Sequence, residues 1–173
     1  MELFDLYDVN RNKLGGTWER EQRAPKGCYR LVAHIIVFNK KGEMLVQLRA
    51  KDKHLFPDVW DLSAGGSIIA GETSSQGAKR ELFEELGIKY DIENMQPNFS
   101  ISFTDGFNDF YLIDYDTDAS KLHVQKEEVQ RAEWMSKEEV LNNIDNGKFV
   151  PYRKSLIELI FDFYDNRRGT HQK

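Results

Sequence analysis

Apolar and polar residues follow two rhythms along the chain, and together they predict interleaved strands and helices. Short runs rich in β-branched and aromatic residues, bounded by Gly, Pro, Asn or Asp, predict strands. The predicted strands run from Leu3 to Tyr7, Lys13 to Trp18, Tyr29 to Phe38, Glu43 to Arg49, Asn98 to Phe103, Phe110 to Tyr115 and Arg131 to Met135. The segment from Trp60 to Ile69 predicts two further short strands, separated by a sharp turn at Gly65 and Gly66.

The clearest helix signal lies just beyond that segment. Thr73 and Gln76 fit a capping box, so a helix is expected from about Ser74 to Leu86. Ala78, Leu82 and Leu86 form its apolar stripe, and Gly87 is placed to end it in left-handed geometry.

Two more helices are expected near the C-terminus. Ser136 is placed to cap one that covers Lys137 to about Asp145. Pro151 is expected to open the other, whose apolar positions are Leu156, Leu159, Ile160 and Phe163. Strands interleaved with three helices predict a mixed α/β sandwich.

The two ends of the chain are expected to differ from its middle. The first two predicted strands flank the polar residues 8–12, which predicts a hairpin, and residues 1–27 read as an N-terminal extension. Residues 166–173 are polar and are expected to fray. With 173 residues in all, we expect a single domain over 1–173.

Composition narrows the possible partners. Lys and Arg number 24 and Asp and Glu 29, a net charge of −5, which gives no bulk attraction to nucleic acid or anionic membranes. Cys28 is the only cysteine, so we expect a buried small side chain rather than a disulfide, and the four histidines are not spaced as a zinc site. No signal segment or stretch of about 20 apolar residues is visible, which favours a cytoplasmic protein.

The predicted first helix carries an acidic face. Glu81, Glu84 and Glu85 stand at positions i, i+3 and i+4, so their carboxylates project from one side of the helix. A solvated acidic surface explains that pattern on its own, because such repulsion is small. However, Gly77 inside the helix implies a close approach to the backbone, and a bare backbone at Gly65 and Gly66 would offer a carbonyl. Carboxylate and carbonyl oxygens are the ligands that Mg²⁺ or Mn²⁺ prefers.

These residues resemble the Nudix box of the Nudix hydrolases. Gly66 is followed after five residues by Glu72, and after seven more by the run Arg80-Glu81-Leu82-Phe83-Glu84-Glu85-Leu86-Gly87-Ile88. Together, Gly66, Glu72 and this run meet all nine specified positions of the box. The resemblance implies a Nudix-type α/β/α sandwich with a mixed sheet. It also implies an enzyme that hydrolyses a diphosphate linkage in a nucleoside diphosphate or its derivative, by water attack on phosphorus with Mg²⁺ or Mn²⁺.

The resemblance also implies roles for individual residues. Glu84 or Glu81 would be the catalytic base, and Glu72 and Arg80 would form a structural salt bridge. The metal would be held by the carboxylates and by one carbonyl, with a further glutamate upstream of Trp134: Gly65, Glu81, Glu84, Glu85 and Glu128.

Substrate contacts are expected from basic residues that precede the box. Arg49, Lys53 and Arg30 are the candidates for binding phosphate oxygens. The partner would then be a small-molecule diphosphate, with no nucleic acid and no membrane, and a homodimer is an additional expectation from the family.

Two alternatives remain open. The N-terminal hairpin, the run from Gln47 to Lys53 and the run from Pro57 to Asp61 resemble the branch of the family that includes isopentenyl-diphosphate isomerase. That enzyme relies on a cysteine before the box, where this chain reads Trp60-Asp61-Leu62-Ser63-Ala64. The other alternative is a non-catalytic nucleotide sensor, although such domains commonly lose box glutamates that this chain keeps.

Overall fold

The computed structural model describes residues 2–166. This part of the chain forms a mixed α/β fold with nine strands and three α-helices. The strands are β1 (Leu3–Tyr7), β2 (Lys13–Glu19), β3 (Arg30–Phe38), β4 (Met44–Arg49), β5 (Trp60–Asp61), β6 (Ala64–Ser67), β7 (Phe99–Phe103), β8 (Gly106–Asp114) and β9 (Val129–Met135). The helices are α1 (Ser74–Leu86), α2 (Lys137–Asp145) and α3 (Lys154–Asp165).

Strand pairing gives a separate hairpin and a larger mixed sheet. Strands β1 and β2 pair with each other, and the larger sheet follows the order β5-β4-β3-β8-β7, with β6 against β3 and β9 against β4. The mixed α/β class and the N-terminal hairpin are thereby confirmed.

The residues divide into two compact units. The first contains the chain up to Ile35, together with Gly65–Phe83 and Lys89–Tyr111, and the second contains Ile36–Ala64, Glu84–Ile88 and the chain from Leu112 onward. Because the boundaries fall inside β3, β6, α1 and β8, these four elements contribute residues to both units. The single domain expected over 1–173 stays a prediction.

Aromatic side chains hold the N-terminal hairpin in the first unit. Phe4 and Trp18 are cross-strand partners and pack edge to face, with ring centroids 5.9 Å apart. Tyr7 forms a backbone bridge with Tyr29, just before β3. Ring packing therefore holds the two strands of the hairpin together, and main-chain hydrogen bonds attach the hairpin to the rest of its unit.

The second unit is built around β4. Its residues Met44–Leu48 are all buried, and the strand pairs antiparallel with both β5 and β9. Phe38, at the end of β3, packs against Phe161 and Tyr164 of α3. A continuous apolar run is what a strand with neighbours on both faces requires.

Helix α1 has the bounds that its sequence predicts. Thr73 N–H donates to Gln76 Oε1 at 2.9 Å, and Gln76 N–H donates to Thr73 Oγ1 at 3.2 Å, which is the predicted capping box. Ala78, Leu82 and Leu86 are fully buried. Gly87 follows the helix with a φ of +68°, the left-handed geometry that glycine adopts readily.

Three other expectations were wrong in detail. Gly65 and Gly66 lie within strand β6 rather than in a sharp turn. Helix α3 begins at Lys154, three residues after Pro151, and buries Ile157, Ile160 and Phe161 while Leu159 is exposed. Cys28 is half-buried rather than buried.

Within the described residues, no helix is long and apolar enough to cross a membrane. The tail expected to fray lies outside the described residues, apart from Asn166, which caps α3 through its N–H to Asp162 O.

Candidate active site

The three glutamates of α1 differ sharply in their exposure to solvent. The Glu81 side chain is 15% exposed and Glu85 is 6% exposed, whereas Glu84 is an exposed residue. One helix therefore carries an exposed carboxylate between two that are largely withdrawn from solvent.

Arg80 clamps two carboxylates in the first unit. Its Nε and Nη2 donate to the two oxygens of Glu72 at 2.8 and 3.0 Å, its Nη1 donates to Glu81 Oε1 at 2.7 Å, and Nη2 also reaches Ser67 O at 3.2 Å. Burial alone would lower the pKa of Arg80, but the hydrogen bonds and charges of Glu72 and Glu81 raise it well above its usual value. The permanently charged guanidinium thus ties residues 67–72 to the helix.

Glycines allow the backbone to approach this clamp closely. A Cβ on Gly66 would overlap the Glu81 carboxylate, and a Cβ on Gly77 would overlap the Ile68 side chain and lie 3.1 Å from Glu72 Oε2. The close approach that Gly77 indicated is therefore made by Ile68 and Glu72. Gly66 and Gly77 leave room for the two carboxylates that Arg80 binds.

Adding a methyl group at Gly66 is expected to lower mainly the activity, whereas adding one at Gly65 is expected to lower mainly the stability. A Cβ at Gly66 meets the far end of the Glu81 side chain, so Gly66→Ala should displace that carboxylate from Arg80, with a loss of activity of about tenfold or more and a smaller loss of stability than at Gly65. A Cβ at Gly65 would lie 2.7 Å from Ala33 O, a backbone atom, so Gly65→Ala should cost about 1–3 kcal/mol of unfolding free energy.

Urea denaturation and steady-state kinetics on both variants test this contrast. Equal losses of stability in the two variants would contradict it, because they would show that Glu81 yields no more easily than the Ala33 backbone.

Glu85 is held in the second unit by a glutamine of β4. Gln47 Nε2 donates to Glu85 Oε2 at 2.9 Å, and Gln47 is itself 4% exposed. The backbone of Glu85 is also bound, since Gln125 N–H donates to Glu85 O at 3.1 Å. The Glu85 carboxylate and main chain are thus both fixed by neighbours in their own unit.

The basic residues expected to bind phosphate all have protein partners. Lys53 forms an ion pair with Glu128, the expected additional metal ligand. Arg49 donates to Asp61 Oδ2 at 2.8 Å and to the carbonyls of Leu55 and Phe56 at 2.9 Å each. Arg49 therefore fixes the loop after β4.

Arg30, the remaining candidate, lies in the first unit among aromatic rings. Its Nη1 donates to Ser67 Oγ at 3.0 Å, and its guanidinium lies 5.6 Å from the Phe4 ring and 6.0 Å from the Trp18 ring. Burial lowers the pKa of Arg30. Its substrate role, like those of Arg49 and Lys53, stays a prediction.

Sequence reasoning did not single out three polar residues around β4 and β5. Besides Gln47, these are Asp61, whose Oδ1 accepts from the Tyr152 hydroxyl at 2.8 Å, and Tyr152 itself. Burial, followed by the nearby Asp61 carboxylate, raises the pKa of Tyr152 well above its usual value, so the hydroxyl stays protonated as a donor. The one local signal was a glutamine inside the buried run Met44–Leu48.

The oxygen donors of these residues are of the type that a hard divalent cation binds, but the structure does not bring them together as a formed metal site. Within residues 2–166, no group of three His, Cys, Asp or Glu side chains is arranged to hold a metal ion. The carboxylate of Glu81 lies over the bare backbone of Gly66, and Gln47 Oε1 is buried with no hydrogen-bond partner in the part of the chain that the structure describes. Both observations, together with the oxygen-only donor set, fit a cation such as Mg²⁺ or Mn²⁺.

Comparison with known proteins decides the family. The family model of the NUDIX domain matches residues 29–157, which make up most of the chain. The chain belongs to the Nudix family. An uncharacterized Nudix hydrolase of Listeria monocytogenes is 45% identical over 152 residues, covering 88% of this chain and 90% of the relative.

Solved structures agree with the sequence match. A crystal structure of a Deinococcus radiodurans protein has a TM-score of 0.75 and 25% identity, covering 94% of this chain and 99% of that one.

A more distant relative in sequence is an isopentenyl-diphosphate isomerase of Streptomyces coelicolor, 31% identical over 86 residues, which are 50% of this chain and 44% of that enzyme. This Nudix protein is thus a Nudix hydrolase, and hydrolysis of diphosphate-containing substrates with divalent cations is general to its family.

Proposed function

We propose that this Nudix hydrolase cleaves a diphosphate linkage in a nucleoside diphosphate or a nucleoside diphosphate derivative by water attack on phosphorus. The observation that carries the proposal is the arrangement of α1, where exposed Glu84 lies between Arg80-bound Glu81 and Gln47-bound Glu85. This arrangement keeps two carboxylates in place while a third can meet water and substrate.

We assign the binding of Mg²⁺ or Mn²⁺ to oxygen ligands on and near α1. Bound there, the cation would neutralise phosphate charge and polarise the scissile phosphorus. The proposed ligands are the carbonyl of Gly65 and the carboxylates of Glu81, Glu84, Glu85 and Glu128. Arg80 acts on these ligands indirectly, because its hydrogen bond of 2.7 Å to Glu81 Oε1 fixes the position of that carboxylate.

We assign Glu84 as the base that accepts the proton of the attacking water, with Glu81 as the other candidate. Glu84 is exposed, so a water molecule can reach it, whereas Arg80 already binds Glu81. Lys53 would bind phosphate oxygens on exchanging its partner Glu128 for substrate, since both side chains are long and partly exposed.

The isomerase alternative is weakened by the stretch before the box, which contains no cysteine. Ser63 lies in the stretch before the box and is fully buried. Its hydroxyl donates to Leu45 O at 2.5 Å and accepts from Val37 N–H at 2.9 Å. Both hydrogen bonds go to the backbone of neighbouring strands, so Ser63 holds strands together and is not placed for proton transfer to a substrate.

A substrate panel tests the proposed function. Release of phosphate or mononucleotide is measured with CDP, UDP, ADP-ribose, NADH, dinucleoside polyphosphates, CoA and isopentenyl diphosphate, with Mg²⁺, with Mn²⁺ and with chelator. We expect turnover of one substrate class that requires the cation. Nucleotide binding without turnover would indicate the sensor instead, and isomerisation of isopentenyl diphosphate without phosphate release would indicate the isomerase.

A further inference from the structure

Gln47 is a buried amide whose nitrogen has a hydrogen-bond partner and whose oxygen has none among the described residues. Its Nε2 donates to Glu85 Oε2, while its Oε1 has no partner in the described structure. The amide cannot be turned around, because a carboxylate only accepts hydrogen bonds and Oε1 would then face another acceptor. Since buried polar atoms are nearly always paired, an acceptor left in this place calls for a donor.

The donors nearest to Gln47 along the strands are used elsewhere. Gln47 pairs with Asp61 across β4 and β5, and Arg49 lies two residues further on, so the three share one face of the sheet. Arg49 and the Tyr152 hydroxyl both donate to Asp61. The Arg49 guanidinium and the Tyr152 hydroxyl are thus both directed at Asp61 rather than at Gln47.

We propose that Gln47 is a positioning residue for the cation site, acting on both sides of Glu85. Its Nε2 fixes the Glu85 carboxylate, and its Oε1 accepts a hydrogen bond from a water in the hydration shell of the bound cation. Mg²⁺ and Mn²⁺ sites usually retain several waters, and such waters are good donors. The inference rests on the proposed function, in which Glu85 is a cation ligand.

Mn²⁺ binding to the full-length protein, followed by electron paramagnetic resonance, tests this role without an activity assay. Gln47→Met keeps the volume and removes both donor and acceptor, so we expect its Mn²⁺ affinity to fall about tenfold or more. The spectrum of the bound Mn²⁺ should also change, because a hydration water loses its acceptor. Gln47→Asn, one methylene shorter, should show the same effects and serves if Gln47→Met does not fold.

The matched control is a second buried amide that holds a different glutamate. Asn39 is 6% exposed and its Nδ2 donates to Glu43 Oε2 at 2.8 Å, away from α1. Asn39→Leu should lower stability and leave Mn²⁺ affinity and spectrum as in the wild type. A general loosening of the fold would affect both variants alike.

A double-mutant cycle shows whether Gln47 acts through Glu85. In a Glu85→Gln background, Gln47→Met should lower Mn²⁺ affinity by a clearly smaller factor than in the wild type, because the carboxylate that Gln47 positions is gone and only the contact of Oε1 with the hydration water is left to lose. Equal losses in both backgrounds, or wild-type Mn²⁺ binding by Gln47→Met, would overturn the inference alone. If instead wild type binds no Mn²⁺, or Glu85→Gln binds it normally, the proposed cation site itself is wrong.

Discussion

Replacing Glu84 with glutamine is expected to lower kcat for the diphosphate substrate by about 10²–10⁴-fold, the usual contribution of a general base. Glutamine has the same shape but cannot take a proton from the attacking water. Because Glu84 is exposed, the free energy of unfolding should change by less than about 0.5 kcal/mol. Steady-state kinetics at saturating Mg²⁺ and urea denaturation measure the two quantities.

A Mn²⁺ titration of the same variant separates the role of a base from that of a ligand. Because Glu84 is proposed as both, Glu84→Gln should lose much more in kcat than in Mn²⁺ affinity, whereas Glu81→Gln should lose affinity to a larger extent. Glu158, an exposed glutamate of α3, supplies the control, and Glu158→Gln should behave as wild type. A Glu84→Gln variant with near-normal kcat would remove Glu84 from the catalytic assignment.

Helix α1 was predictable from sequence because its determinants are local. Thr73 and Gln76 satisfy the first backbone donors, and Gly87 supplies the left-handed residue that ends the helix. All of these residues lie within or next to the segment whose structure they fix. The N-terminal hairpin was predictable for the same reason, since a short polar turn separates its two strands.

The turn expected at Gly65 and Gly66 was wrong because distant neighbours decide that geometry. A glycine pair adopts turn and extended conformations equally well, so its sequence alone does not choose between them. In the structure the pair is extended in β6, where Gly65 lies against Ala33 O and Gly66 against Glu81. Those contacts come from residues far away in the sequence.

The buried face of α3 was misplaced for a related reason. Its segment Lys154–Asp165 has apolar residues on more than one side, so periodicity allows two adjacent faces. Packing of Phe161 and Tyr164 onto Phe38 selects the face that contains Ile157 and Ile160. The position of Phe38 relative to the helix depends on the tertiary structure and cannot be inferred from the sequence of the helix.

The roles of charged residues were the least predictable part of the site. Lys53 and Glu128 are 75 residues apart and were assigned to separate tasks, yet the fold pairs them. Gln47 meets Glu85 across 38 residues. A motif specifies residue types at fixed spacing, but the partner of a side chain depends on which strands become neighbours.

Replacing Asp109 with alanine is expected to reduce the free energy of unfolding by about 3 kcal/mol, the low end for removing one member of a buried ion pair. The Asp109 side chain is completely buried and binds Arg11, Ser74 and Ser100. Arg11 belongs to the hairpin turn, Ser74 begins α1 and Ser100 lies in β7. The Arg11 side chain is 32% exposed and can turn to solvent, which keeps the loss near the low end.

The structural consequence should be local as well as global, because Asp109 joins three elements of the first unit. Arg11 has a φ of +67°, rare for a residue with a side chain, and its ion pair with Asp109 helps hold that conformation. Hydrogen exchange should therefore accelerate in residues 8–12 and in the first turn of α1. Asp114→Ala, at an exposed position of the same strand, should change neither quantity. A loss below about 1 kcal/mol for Asp109→Ala would mean that Arg11, Ser74 and Ser100 find other partners, since leaving buried donors unpaired costs at least that much.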